Sequence, residues 1–373
     1  MKILFWVPYP SQGPSNRYRV EQYLPYLEKS GIQCHLRPFW SSNAFKILYK
    51  KGLYIEKFYY FLLGTLKRII DLVSIFRYDG VFIHREAYPI GGIFFEKMLQ
   101  LFDKPFIYDF DDAIFLPTST PWNNFIEKFK TPGKIQEIIK LSHHCIAGNR
   151  YLADFALKYT NSVSIIPTSI DTEKYSNPKP KKIREAIVIG WTGSLTTSDY
   201  LNSLNEVFVK LSQRFPKIKF KIIGGNFTIP GLSNIINEPW QEGREMDEVK
   251  TFDIGIMPLP DNEWAKGKCA FKAILYMSLS IPCVCSAVGM NKEVITDGIN
   301  GFLAGSQTEW LEKLTLLINN PELGKRVGVA GRKTVEEEYS VKVNAPKIIK
   351  MIEGLSNRAK RAKRVKRVKR VKN

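Results

Sequence analysis

The sequence predicts an α/β protein built from two doubly wound, mostly parallel sheets. Three observations predict it. Short apolar, strand-like runs alternate with amphipathic, helix-like segments along most of the chain. The alternation comes in two consecutive series, separated by a polar, Pro- and Lys-rich break at 176–184. A chain of 373 residues is also too long for one ordinary core and suits two domains.

In the first series, residues 3–7 read as a buried strand and 8–14 as a loop. Val20, Tyr23, Leu24 and Leu27 then recur at helical spacing until Gly31 ends the helix. Residues 32–36 form a second strand, and a long basic and aromatic region at 44–76 reads as helical. Strands follow at 80–84 and 106–110, with a helix at 92–102 between them. A short strand at 145–147 precedes a helix capped by Asn149, and 163–166 closes the series. The second series has strands at 186–191, 220–223, 253–257 and 282–285. Ligands of such sheets sit beyond the carboxyl ends of the strands, and a cleft between two such lobes is where chemistry is expected.

Composition narrows the class. A hydrophobic fraction of 44% and an aromatic fraction of 13% are those of a globular protein, not a disordered one. The formal charge of +19 is concentrated at one end: residues 358–372 hold ten Lys and Arg and no acid. The remainder is still basic, which favours anionic partners: phosphates, acidic lipid headgroups or nucleic acid. The apolar residues of that tail fall every third position and form no helical stripe, so it reads as a disordered polycation. No module that stacks aromatics against bases is visible, and no nucleic-acid partner is expected. The five cysteines form no CxxC pair and read as small buried residues in a reducing cytosol. The four histidines show no zinc spacing. Residues 3–7 are too short for a signal core. The most apolar stretch, 58–76, is interrupted by Lys67, Arg68 and Asp71, so no membrane span is expected.

Four constellations could carry chemistry. Gly267 and Lys268 follow the strand at 253–257 and open a predicted helix running to about Leu279. Lys268 and Lys272 would share its first turn, repelling each other and the positive helix end. A bound anion would reverse both penalties, with Gly267 letting backbone N–H groups approach. Gly193, Ser194, Thr196 and Thr197 form a turn after the strand at 186–191, able to offer N–H groups and hydroxyls to phosphate. It is neither a Walker loop nor GxGxxG. Asp109, Asp111 and Asp112 place three acids in four residues at a strand end. They could hold a divalent metal, or a carboxylate could orient an acceptor hydroxyl. Gly13, Arg17 and Arg19 follow the first strand, where arginines near a helix start oppose the dipole and point to an anion.

At these residues the chain resembles the retaining GT-B glycosyltransferases of the group 1 family, from residue 1 to about 353. The likeness lies in an order of loose motifs. They include the turn at 190–197, Gly224-Gly225, Asp253-Ile254-Gly255, Gly267-Lys268, Pro282-Cys283-Val284 and Glu338-Tyr339-Ser340, with 166–171 as a hinge-side segment. The resemblance implies two Rossmann-like domains: an acceptor domain at 1–170 and a nucleotide-sugar domain at 186–340, joined by a linker at 171–185. A helix at 341–355 would cross back to the first, and the tail occupies 356–373. It implies a nucleoside diphosphate sugar held by Gly193, Ser194, Thr196, Gly224, Gly267, Lys268 and Lys272. Asp111 or Asp112 would align a glycan or lipid-linked acceptor, with no cofactor and no obligatory metal. Three departures stand out. Ser194 and Asp199 lie near where the family carries Arg and Lys, Leu275 stands where it carries a ribose-binding Glu, and aspartates stand at 111 and 112 where many relatives carry a His. The second suggests an alternative, a degenerate GT-B protein that binds a glycan or another enzyme. The basic aromatic region at 45–76 and the tail suggest a cytoplasmic protein peripheral to an anionic membrane.

Overall fold

The computed structural model describes residues 1–117, 131–175 and 186–355. Most of the expected linker and the entire basic tail lie outside the described residues. The chain divides into two compact units: Met1–Thr168 with Asn344–Asn373, and Ser169–Val343.

The first unit carries one six-stranded sheet: β1 (Lys2–Val7), β2 (Gln33–Pro38), β3 (Gly80–His84), β4 (Phe106–Phe110), β5 (His144–Ala147) and β6 (Val163–Ile165). The order is β2-β1-β3-β4-β5-β6 and every pairing is parallel. Strands β3 and β4 are buried along their whole length, as largely apolar central strands covered on both faces are. The chain leaves β1 for β2 on one side and returns to β3 on the other, so the strand order reverses between β1 and β3. A crevice at that reversal is where open α/β sheets bind ligands.

The helical region expected at 44–76 is two helices, Ser42–Leu48 and Tyr54–Val73, with a short 3₁₀ turn at Ile75–Arg77. Gly52 and Leu53 break it with φ of +72° and +55°, a left-handed step that no continuous helix accommodates. The longer helix is anchored by charge. Arg68 is fully buried and donates to the carbonyls of Ala87 (2.8 Å), Arg37 (3.0 Å) and Val7 (3.1 Å). Asp71 lies 3.4 Å from Arg68 and accepts from Trp6 Nε1 at 3.0 Å. Burial pulls the Arg68 guanidinium down to about 10, with Asp71 opposing, so it stays charged at neutral pH.

The second unit repeats the architecture with β7 (Val188–Thr192), β8 (Lys219–Ile223), β9 (Ile235–Glu238), β10 (Ile254–Met257), β11 (Cys283–Ser286) and β12 (Phe302–Ala304). Its order is β12-β11-β10-β7-β8-β9, again all parallel, and the reversal falls between β7 and β10. Phe208 stacks on Phe220 with centroids 4.1 Å apart in a core that includes Trp191, Leu204 and Trp310. A closing helix at 341–355 starts in this unit and belongs to the first from Asn344 onward, where Ala345, Ile348, Ile352 and Leu355 are buried.

Candidate functional site

In the first unit the reversal between β1 and β3 gathers side chains from three strand ends. Ser15 lies in the short helix Pro14–Arg19 after β1, His84 ends β3, and Asp109 lies in β4 with Asp111 and Asp112 just beyond it. His84 Nδ1 is 2.6 Å from Asp109 Oδ2, and its Nε2 is 2.5 Å from Ser15 Oγ. Ser15 Oγ in turn donates to Asp111 Oδ2 at 3.1 Å. Arg85 Nε donates to Asp111 Oδ1 at 2.8 Å, and its Nη2 donates to Asp112. Arg85 reaches both from a left-handed backbone, φ +62°, a strain of order 1–3 kcal/mol that its ion pairs offset.

The clustering of three acids is thereby explained. Asp109 is matched by Arg19 and His84, Asp111 and Asp112 by Arg85. Burial alone would raise the Asp109 carboxyl, but Arg19 and His84 outweigh it. Burial likewise opposes Arg85, His84 and Arg19 at Asp111, and again these neighbours prevail. Both carboxyls sit below the usual range, as carboxylates held by guanidinium groups and hydrogen-bond donors do.

This corrects the reading of Arg17 and Arg19. They lie in the last turn of Pro14–Arg19, where positive charge favours the dipole, so no anion is needed to excuse them. Arg19 is buried and turned inward, donating to Asp109 and to the Ile166 carbonyl (2.6 Å). Arg17 lies over the Tyr18 ring, 5.3 Å from its centroid. Gly13 serves as a helix cap, with its own N–H donating to the Pro10 carbonyl at 2.8 Å. The residues that sequence reasoning missed are Ser15, His84 and Arg85. The available signal was the unbalanced charge of Asp109, Asp111 and Asp112, which required cations from a neighbouring strand end. Beside Arg85 opens a pocket walled by Tyr9, Phe39, Trp40, Glu86 and Ile114.

In the second unit the reversal between β7 and β10 is organised by Trp191, which is 1% exposed. A Cβ on Gly193 would lie 2.4 Å from its ring, and one on Gly225 would lie 2.9 Å from it. Lys272 Nζ lies 5.3 Å from the same ring's centroid. Gly224 has φ +75°, and a Cβ there would lie 2.4 Å from the Gly193 carbonyl oxygen. The turns after β7 and β8 therefore touch backbone to backbone. Gly224→Ala combines a strained left-handed φ with a clash and should cost about 1–3 kcal/mol. Urea unfolding measures this, and an unchanged midpoint would count against the close approach. Tyr276 ties the two sides of the reversal: its hydroxyl accepts from Thr192 N–H (3.2 Å) and donates to the Ile256 carbonyl (3.3 Å).

Ser194 caps the short helix Leu195–Ser198 in a capping box with Thr197, and its hydroxyl is 2.9 Å from Thr196 Oγ1. Both Ser194 and Thr196 are exposed. The lysines are arranged differently from the expectation. Their helix is Phe271–Ser278, so Lys268 precedes it and does not share its first turn with Lys272. Lys268 Nζ lies over the Trp264 ring, 5.3 Å from its centroid. Gly267 is spent on ending the helix Glu263–Lys266: its N–H donates to the Trp264 carbonyl at 3.2 Å. Leu275 is fully buried.

The family model described as glycosyl transferases group 1 matches residues 186–320. No curated protein matches the chain in sequence. Among solved structures, a glycosyltransferase from Rickettsia africae ESF-5 is similar with a TM-score of 0.68 and 14% identity, over 95% of this chain and 98% of that one. HepE from Anabaena, in complex with UDP-glucose, has a TM-score of 0.64 at 15% identity, over 95% and 100%. Sucrose-phosphate synthase from Thermosynechococcus elongatus has a TM-score of 0.64 at 12% identity, over 95% and 98%.

Proposed function

We propose, for a chain that has the GT-B glycosyltransferase fold and carries a group 1 glycosyltransferase domain over residues 186–320, that it moves a hexose from a nucleoside diphosphate sugar to a glycan or lipid-linked acceptor. Retention of the anomeric configuration and a cytoplasmic setting at an anionic membrane surface belong to the same proposal. The observation that carries it is the convergence of Gly193, Gly225 and Lys272 on Trp191, at the strand reversal of the matched domain. Such a place receives the phosphates of a nucleotide. As the bond to the sugar breaks, charge develops on the leaving diphosphate, and Lys272 and Lys268 would stabilise it. In the first unit, ionised Asp111 would accept a hydrogen bond from the acceptor hydroxyl and align it.

Titration calorimetry with nucleoside diphosphates tests the donor half. Lys272→Ala should weaken binding by about 1.5–3 kcal/mol, tenfold or more in Kd, and Lys268→Ala by less. Equal affinity for wild type and Lys272→Ala would remove Lys272 from the site. A screen of donor hydrolysis then identifies base and sugar, and the anomeric configuration of the product tests retention.

A second reading is favoured by one residue. Leu275 lies in the core at the position where the resemblance expects a ribose-binding Glu. A protein that had lost donor binding would keep the fold and serve as a glycan- or enzyme-binding partner. Absence of binding to every nucleoside diphosphate would select it.

A further inference from the structure

The helix Tyr54–Val73 is inside out. Its inward face carries the buried charges Arg68 and Asp71. Its outward face carries Ile55 (84% exposed), Phe58 (61%), Leu62, Leu66, Ile69 and Val73 (78%), at steps of three and four that make one continuous stripe. A surface helix ordinarily presents the reverse. The apolar surface continues onto the neighbouring helix Phe94–Leu101, where Phe94 and Leu101 are exposed, and onto Phe76. A contiguous exposed apolar surface spanning two helices is of the kind that marks an interaction site. The helix does not qualify to cross a bilayer: no helix among the described residues is long and apolar enough.

The charges around the stripe say what covers it. Within residues 42–77 the exposed cations are Lys46, Lys50, Lys51, Lys67 and Arg77, and Glu56 is the one exposed acid. Tyr49, Tyr54 and Tyr59 lie exposed among them, with rings suited to the headgroup level. An apolar stripe edged by cations and tyrosines matches the acyl boundary of an anionic leaflet. The aromatic cluster beneath the helix joins this surface to the first-unit site. Phe39 packs against Phe61 of the helix with centroids 5.9 Å apart, and Phe39 and Trp40 also wall the pocket beside Arg85.

We infer that the outer face of the helix Tyr54–Val73 is a docking surface for an anionic lipid bilayer, on which the helix lies in the membrane plane. This rests on the membrane setting of the proposed function and adds the element that makes contact; sugar transfer is not needed for it.

The test is flotation of the full chain with phosphatidylcholine vesicles, with and without phosphatidylserine. The wild type should float with the anionic vesicles and lose binding steeply as salt rises. The variant Ile55→Glu/Phe58→Glu/Val73→Glu, changed only at exposed positions, should lose about tenfold or more in partitioning. Its melting temperature and its binding of UDP should match the wild type. UDP binding is read in parallel so that a failed donor site and a failed membrane surface are told apart. Undiminished flotation of the variant, or equal flotation with neutral vesicles, would overturn the inference. A wild-type dimer that the variant abolishes, with no flotation of either, would assign the stripe to a second copy of the chain and also overturn it.

Discussion

Asp111→Asn is expected to lower kcat by about 10²-fold or more while leaving nucleoside diphosphate affinity unchanged. Asp111 Oδ1 accepts from Arg85 Nε at 2.8 Å and Oδ2 from Ser15 Oγ at 3.1 Å. An amide keeps the shape but loses the charge, and turns an N–H₂ toward either Arg85 or Ser15. The proposed donor site lies in the other unit, so a role in aligning the acceptor predicts loss of turnover with donor binding intact. The sign of the pH effect also follows. The Asp111 carboxyl is depressed by cations that outweigh burial. It therefore stays ionised through neutrality, and its contribution is present above the unfolded value near 4 and lost only as pH falls through the lower folded value. Activity should show no limb near neutral pH from this group. Steady-state kinetics at saturating donor beside UDP titration reads both quantities. Wild-type turnover in the variant would take Asp111 out of the mechanism, and a parallel fall in UDP affinity would show damage beyond the acceptor.

Arg68→Leu is expected to destabilise the protein by about 3–5 kcal/mol. The guanidinium is fully buried and serves three backbone carbonyls and Asp71. Leucine fills part of the volume and satisfies none of them, leaving the buried Asp71 carboxylate with only the half-exposed Arg37, 3.3 Å away, and Trp6 Nε1. Arg68→Leu/Asp71→Leu should recover part of the loss, because removing both charges ends that mismatch even though Trp6 Nε1 then lacks its acceptor. Chemical denaturation measures both. A loss under about 1 kcal/mol for the single variant would mean that water replaces the guanidinium at those carbonyls.

How much of this was legible depended on burial. Strands β3 and β4 could be placed to the residue because both are largely apolar runs between turn signals. The Asn149 cap was equally plain, with its side chain accepting from Leu152 N–H at 2.9 Å. The edge strands β9 and β12 were missed: they are four and three residues long, and β9 is half exposed, so neither shows a clear apolar period. The long helical region was read without its break: Gly52 was a signal for one, but Leu53 gives no warning of a left-handed conformation. In the site, local signals were readable and pairings were not. Gly193 and Lys272 announced themselves, but their meeting at Trp191 depends on which strands are neighbours. Arg19 looked like an anion ligand because its partner, Asp109, is ninety residues away.

The first unit is made from two ends of the chain, and its closing piece comes last. Ile348, Ile352 and Leu355 are buried, and a Cβ on Gly80 at the start of β3 would lie 3.0 Å from Leu355 Cδ1. On a ribosome, β3 emerges long before those residues do. All of Ser169–Val343 must be synthesised in between, which at ordinary elongation rates takes on the order of 10–30 s. For that interval the nascent first sheet leaves open the apolar surface that the closing helix later covers. Its final stability is reached only when the second unit is essentially complete, so a translation pause or a stop between residues 300 and 344 should yield aggregation-prone chains even though every strand of the first sheet has been made.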